Sequence, residues 1–370
     1  MSALISDTRR DLNRWRHKLM RKGPPTIHYF HQVDDPHSHL AIQKIPAIAA
    51  NYDVRFEFHL CSRPSKDDQG DSSRFETWIL NDARNIAEHF NVTLPKAVDR
   101  IEADQRKKAE ETLSEFLNQP TFPEMALEVG TKLWAGSHLK SAKKAKNIID
   151  SGNEIRKNLG NWLSGTFYFE GEWYWGIDRL HHLEKRLIES DISSNDSSPI
   201  VKRPEENFNE RLNASFLSLE FFPSLRSPYS AICFDRVISL ADKAQINLVL
   251  KPVMPMMMRG VRASKSKQIY IMTDAKREAD YYEQKLGPIV DPIGSPVKKA
   301  FELLPNLKEM DKDIEFCGNY LTAAWKEGVD ITSQNGLKKV LERSGVTWEE
   351  VKKDQESPGV GGPEPDNAPD

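Results

Sequence analysis

The chain has 370 residues, 38% of them apolar and 29% charged, with a formal net charge of −3 and a mean hydropathy of −0.60. That length allows about two domains, and the small net charge gives no bulk attraction to nucleic acid or to an anionic membrane surface. No run of about 18 apolar residues occurs, so no membrane-spanning helix is expected.

From Met1 to Lys22 the basic residues Arg9, Arg10, Arg14, Arg16, Lys18, Arg21 and Lys22 are interspersed with Leu4, Ile5, Leu12, Trp15 and Leu19 at roughly helical spacing. A secretory signal needs a continuous apolar core, which these charges interrupt. Residues 1–24 are therefore expected to form a basic amphipathic helix packed on the first domain; a membrane-surface or partner helix is the alternative. The three cysteines, Cys61, Cys233 and Cys317, form no C-x-x-C. An odd count without a signal segment points to a reducing, cytoplasmic compartment and to buried, apolar thiols.

Thr26 to Phe30 reads as a strand, and Pro36 can open a helix that runs from His39 to Tyr52. Val54 to Phe58 alternates with period two and predicts a second strand. Helices follow over Arg74 to Ala135, broken between Gln119 and Pro123, and over Lys140 to Leu159. Thr166 to Phe169 and Glu172 to Trp175 flank Glu170-Gly171 as a hairpin. Gly176 onward predicts a closing helix to Glu189 with Asp178 as its N-cap. Ser190 to Arg203 is rich in Ser, Asp, Asn and Pro and reads as a linker.

The opening then recurs 192 residues later. Phe30 and Phe222, Pro36 and Pro228, Ser38 and Ser230, Ala49 and Ala241, Asp82 and Asp274 fall at that one offset. A period of this size implies a duplicated domain. Phe216 to Phe222 and Ile246 to Pro252 read as strands around a helix from Ser230 to Ala244. Further helices are expected over Ser266 to Lys285, Val297 to Glu302, Leu307 to Glu327, Ser333 to Ser344 and from Trp348. The Pro/Gly/Asp-rich end cannot build strands or a core. The second half thus ends without a hairpin, and the chain is expected to be cut short or shifted in frame after about residue 354.

The order strand, helix, strand, helical insertion, hairpin, helix is the thioredoxin pattern. Ser227-Pro228-Tyr229-Ser230 with Lys251-Pro252-Val253 resembles the opening of the 2-hydroxychromene-2-carboxylate isomerase and kappa-class glutathione transferase group, DsbA relatives with a helical insertion. Tyr270, Asp274 and Arg277 are similar to that group's next helix. Gly171 and Trp175-Gly176-Ile177-Asp178-Arg179-Leu180 are similar to its closing hairpin and W-G-x-D-R-L signature. The resemblance spans about residues 25–190 and 214–354.

The expected fold is therefore α/β, with two thioredoxin-like domains that each carry a helical insertion, the second lacking its C-terminal β-hairpin and helix. The expected layout is an N-terminal helix at 1–24, a first domain at 25–190, a linker at 191–213, an incomplete second domain at 214–354 and a disordered tail at 355–370. The resemblance implies glutathione as cofactor, its thiolate held by Ser227 at a helix N-terminus, where dipole and free N–H groups lower a thiol pKa. It implies Pro228 and Tyr229 as further glutathione-site residues, and Asp178 and Arg179 as contacts to the γ-glutamyl end. Isomerase or transferase chemistry on a small aromatic or conjugated substrate follows. The alternatives are a non-catalytic binding or scaffold protein, or a truncated inactive relative.

The first half departs from the pattern. Asp35 stands where the serine should be, and Ser164-Gly165-Thr166 replaces V-P-T. Thiol–disulfide exchange is excluded because Ser227 and Ser230 occupy both cysteine positions. Ser227 also reads as a plain helix cap, and Asp178 as an N-cap beside a surface-paired Arg179. His28, His31, His37 and His39 with Asp34 and Asp35 lack zinc spacing, and His28 and His31 point to opposite faces of a strand, so no metal is expected. His181 and His182 read as surface residues, Met254 and Met256 to Met258 as pocket lining or core filling, Trp134 and Trp325 as matched core anchors, and Lys140 to Lys146 as a solvated face. An unpaired sheet edge in the second half predicts association, which leaves a homodimer open.

Overall fold

A computed structural model describes residues 1–65, 71–96, 101–140, 147–192, 198–205 and 215–353. The chain divides into two compact units. The first comprises Ala3–Asn207 and Gly260–Arg277; the second comprises Met1–Ser2, Phe208–Arg259 and Glu278–Asp370. Among the described residues no helix is long and apolar enough to cross a membrane.

The first unit is built on four strands: β1 (Thr26–His31), β2 (Arg55–Leu60), β3 (Thr166–Phe169) and β4 (Glu172–Trp175). Their order is β2-β1-β3-β4, with β1 and β2 parallel and the other neighbours antiparallel. This is the sheet that a βαβ unit followed by a hairpin makes. β2 shows why the alternation was readable. Phe56, Phe58 and Leu60 share one face and Glu57 and His59 the other, as a period of two requires, and Phe58 stacks on Phe122 at 4.5 Å. The β3–β4 turn has both central residues at positive φ, Glu170 at 43° and Gly171 at 88°, as a type I′ hairpin demands. Glu170 tolerates that conformation while paired with Arg21 at 2.5 Å and with Arg186 at 3.7 Å.

The helix expected over His39 to Tyr52 is two helices, α2 (Pro36–Ile42) and α3 (Ile45–Asn51). Pro46 has no N–H to donate to the Ile42 carbonyl, so the ladder breaks there. The insertion holds α4 (Ser72–Ala87), α5 (Ala103–Ser114), α6 (Phe122–Trp134) and α7 (Ile148–Asn158). Of the helix expected from Lys140 to Leu159, Ile148–Asn158 is helical; residues 141–146, most of the lysine run, lie outside the described residues. Leu40, Ile42, Phe122, Leu133, Phe167 and Leu183 share the main core, and each such side chain contributes roughly 1.5–3 kcal/mol through burial.

α8 (Leu180–Ile188) closes the domain, preceded by a short 3₁₀ turn over Ile177–Arg179. Asp178 is thus inside that turn and does not cap a helix. His181 and His182, expected at the surface, are buried, with ring centroids 3.9 Å apart. Part of the expected linker is also packed. The buried Glu184 carboxylate accepts from Ile200 N at 2.7 Å, Val201 N at 2.8 Å and the Tyr52 hydroxyl at 2.9 Å. Residues 193–197 and 206–214 of that region lie outside the described residues.

α1 (Asp7–Met20) meets the first unit with its cations rather than its apolar side. Arg14 pairs with Glu172 and Glu189, and Lys18 approaches Asp191. Leu12, Trp15, Leu19 and Met20 are all more than half exposed. The contact of this helix with the rest of the unit is thus ionic. Glu170, Glu172 and Glu189 on the hairpin and α8 are what draw it down.

In the second unit β5 (Ser218–Phe221) and β6 (Asn247–Leu250) run parallel around α9 (Pro228–Ala244). The opening elements of the two units start 192 residues apart: Thr26 and Ser218, Pro36 and Pro228, Arg55 and Asn247. α10 (Lys265–Tyr281) contributes residues 265–277 to the first unit, where Tyr270 joins Phe30, Cys61 and Trp173 in a small core. α11 (Ser295–Glu309) continues seven residues past the expected end despite Pro305, because Val297, Ala300, Leu303 and Leu307 bury one face. The next expected helix starts later, as α12 (Asp313–Thr322) and a π-turn to Glu327, since Asp311 has φ of 53°. α13 (Gln334–Arg343), capped by Ser333, and α14 (Trp348–Lys353) follow. The tail at 355–370, where a missing hairpin was inferred, lies outside the described residues. Trp134 and Trp325 are both buried, as expected of core anchors. No residue over Met256–Arg259 is buried, which removes core filling for Met256 to Met258. Cys61 and Cys317 are buried and Cys233 is half-buried, and all three thiols are free.

Candidate functional site

Each unit presents a helix N-terminus directly after its first strand, and the two are furnished differently. In the first unit β1 delivers the chain to Asp35, the N-cap of α2. Its Oδ1 accepts from His37 N at 3.3 Å, and its Oδ2 accepts from Ser38 N at 2.9 Å and Ser38 Oγ at 2.6 Å. Ser38 Oγ accepts in turn from Gln32 N, Gln32 Nε2 donates to Asp34, and Ser164 Oγ donates to Gln32 Oε1 at 2.5 Å. Burial raises the Asp35 pKa, outweighing the His37 charge and the hydrogen bonds from Ser38 and His37.

Gly165 is coupled to this carboxylate. It has φ of +62°, and a Cβ built there would lie 2.9 Å from Ser38 N and 3.1 Å from Asp35 Oδ2. Glycine at 165 leaves room for the carboxylate and supplies a left-handed conformation that other residues adopt only under strain. Asp35 and Gly165, two separate departures in the sequence, are one packing arrangement.

The His37 ring packs tilted against Trp175, centroids 5.5 Å apart, and its Nε2 lies 3.3 Å from Asp82 Oδ2. Burial lowers the His37 pKa, but the Asp82 hydrogen bond and the charges of Asp35, Asp82 and Asp178 outweigh it and the pKa is raised. Asp34 is paired with Arg63 at 2.8 Å and Arg106 at 3.5 Å. Around them opens a cavity of about 760 Å³, lined among others by Asp35, Arg63, Arg84, Arg106, Trp134 and Trp175. The sequence hinted at it through the cap alone. Asp82, Arg84 and Arg106 come from the helical insertion, which no local pattern ties to the cap.

The histidines that cluster in sequence do not cluster in space as one group. His31 and His39 are buried, and burial lowers both, with the added charge of His39 at His31, to about 3 and about 4 respectively.

In the second unit Ser227 caps α9, its Oγ accepting from Ser230 N at 3.2 Å. The cap is steadied from both sides. Ser227 N donates to Ser224 O at 2.9 Å, and Ser224 N donates to Ser230 Oγ at 3.0 Å. Pro228 occupies the first helical position, where its missing N–H is harmless. Tyr229 is half-buried, and Arg226 makes a two-pronged pair with Asp291 at 2.8 and 2.9 Å. A serine hydroxyl holds one proton to donate and two lone pairs. The cap uses a lone pair, and among the described residues Ser227 donates to nothing.

Asp178 and Arg179 belong to the first unit and Ser227, Pro228 and Tyr229 to the second. Arg179 is not a surface pair. Its Nε lies 3.1 Å from Asp274 Oδ1 and its Nη1 2.6 Å from Asp178 Oδ2, and Asp274 is nearly fully buried. Arg277 Nη1 also reaches Asp274, at 3.2 Å, and donates to Trp173 O. These residues, read from the sequence as ligand contacts and as a distant matching helix, form one ion cluster, buried at Asp274 and partly exposed at Asp178.

No curated protein matches the chain. A solved structure of 2-hydroxychromene-2-carboxylate isomerase is similar over its whole length to 46% of this chain, at 14% identity and a TM-score of 0.34. Residues 218–362 match the DSBA-like thioredoxin domain family. With β5, α9 and β6 in the order that domain opens, the C-terminal part of the chain is a DSBA-like thioredoxin domain.

Proposed function

We propose that the protein is a glutathione-dependent isomerase or transferase in which Ser227 receives the glutathione thiolate. The observation that carries this reading is the Ser227 hydroxyl, half-buried at the N-terminus of a 17-residue helix and donating to nothing among the described residues. A hydrogen bond from that hydroxyl and the positive end of the α9 dipole would both favour thiolate over thiol. The thiolate then adds to the β-carbon of a conjugated double bond. The S–C bond forms as the π electrons move onto the conjugated carbonyl oxygen. The former double bond rotates, and the electrons return as the S–C bond breaks, leaving the isomer and free thiolate. Attack on an electrophile with a leaving group gives transfer instead. A small aromatic or conjugated substrate fits either course.

The 192-residue offset shared by the starts of three elements supports descent from a tandem duplication. In that scheme the first copy has lost thiolate chemistry, since Asp35 fills with a carboxylate the place a thiolate would take. Arg179, committed to Asp178 and Asp274, has become a structural residue. Free, largely buried thiols fit a reducing compartment such as the cytoplasm.

A second reading is favoured by the cavity at Asp35. Its two tryptophans, with Arg84 on the same wall, suit a small aromatic ligand bound without catalysis. Calorimetric titration with reduced glutathione separates the two. The first reading expects binding that Ser227→Ala weakens about fivefold to tenfold, the worth of one charge-assisted hydrogen bond, and that Arg106→Ala leaves unchanged. Absence of glutathione binding to the intact chain overturns it in favour of the binding protein.

A further inference from the structure

One polar cluster takes no part in either helix N-terminus. β1 and β2 run parallel with His28 directly opposite Glu57. Alternate residues of a strand share a face, so His59 stands beside Glu57 and His28 completes a triangle. His28 Nδ1 lies 3.1 Å from His59 Nε2 and 3.3 Å from Glu57 Oε2, and all three donor atoms lie within 4.8 Å of one another. A tetrahedral shell with metal–ligand bonds of ~2.0–2.1 Å has ligand–ligand edges of ~3.3 Å. Two of the three donor pairs, at 3.1 and 3.3 Å, already match that edge, and the third lies within 4.8 Å.

The geometry points to a divalent-cation site of the zinc class, formed by His28 Nδ1, Glu57 Oε2 and His59 Nε2 with solvent water as fourth ligand. Two imidazoles and one carboxylate with an open position are the donor set of reactive rather than structural zinc sites, and imidazole favours zinc, nickel and copper over calcium or magnesium. All three residues are half-buried, and a groove of about 780 Å³ bounded by Glu57, His59, Ile148 and Ser151 gives an ion a way in. Arg55 pairs with the other oxygen of Glu57, which leaves Oε2 turned toward His28. Its positive charge opposes a cation and sets a modest affinity. The site is independent of the glutathione reading.

The test is zinc titration of the tag-free full-length chain by calorimetry, with cobalt as a visible-absorption probe of coordination. The site predicts one equivalent that disappears in His28→Ala/His59→Ala. Glu57→Gln weakens it at least tenfold, and Arg55→Ala tightens it roughly fivefold by removing a neighbouring like charge. Circular dichroism of each metal-free variant verifies folding; should the double variant fail to fold, Glu57→Gln and Arg55→Ala carry the test. Zinc uptake that is absent in the parent chain, or equal in parent and variants, overturns the site and leaves a His–His hydrogen bond only.

Discussion

Glu172 at the start of β4 ties three parts of the first unit together, so Glu172→Gln is a sharp test of what holds that unit. Its Oε1 accepts from Arg14 Nε at 2.5 Å and its Oε2 from the Tyr174 hydroxyl at 2.8 Å, with Arg277 Nη2 3.6 Å away. Burial pushes its pKa up, but the Arg14 hydrogen bond, the charges of Arg277 and Arg14 and the Tyr174 hydrogen bond together hold it at about 2, against an ordinary 4.5. A difference of roughly 2.5 units corresponds to about 3 kcal/mol of stabilisation by the ionised form. Loss of a buried partner of Arg277 gives a similar figure. A carboxylate with a depressed folded-state pKa stabilises above its unfolded pKa, and the contribution is lost as pH falls toward about 2. The expected gap between parent and Glu172→Gln in urea unfolding is about 3 kcal/mol near neutral pH and less than half of that at pH 3. Hydrogen exchange across residues 166–175 assigns the loss to the first unit. A gap that does not shrink between pH 7 and pH 3 would refute the electrostatic account, and a gap below about 0.5 kcal/mol would place Glu172 among surface pairs.

Gly165→Ala is expected to destabilise the first unit by about 2 kcal/mol or more, from a left-handed φ and crowding against Ser38 N, measured by thermal or urea unfolding. Asp35→Ser in the same chain should recover part of that loss, because the Oδ2 atom 3.1 Å from the new methyl is gone. Asp35 should also give a pH effect opposite in sign to Glu172. Its folded pKa is raised, so its penalty is absent below the unfolded value and grows as pH rises through the folded one. Asp35→Asn should remove that downward slope from stability–pH curves. Asp274→Asn leaves Arg179 and Arg277 short of a buried counter-charge and should cost about 3 kcal/mol in unfolding experiments, with glutathione affinity unchanged.

Of the two caps, Ser227 was legible as one in the sequence, whereas Asp35 was read only as a departure from the serine pattern. Asp35 and Ser227 each precede a proline at a strand-to-helix junction, and both side chains accept backbone N–H bonds of the first helical turn, at 2.9 Å and 3.2 Å. These are local events, decided by residues within three positions of one another. The pairing of Asp35 with Gly165, and of both with a cavity walled by the insertion, spans about 130 residues and left no periodic trace. Arg179 was readable as a motif residue, yet its partner Asp274 lies 95 positions away.

Strand and helix order, the hairpin around Glu170-Gly171, the 192-residue echo and the matched tryptophans follow from spacing and local conformational preference, which the sequence carries by itself. Tertiary structure alone decided that α1 turns Trp15 and Leu19 outward, that His181 and His182 are buried, that 265–277 complete the first unit, and that His28 meets Glu57 and His59. Each of these depends on which distant surfaces exclude water together and on strand register. A hydrophobic or charged side chain records that it needs a partner, but the partner's address is set only when the chain closes on itself.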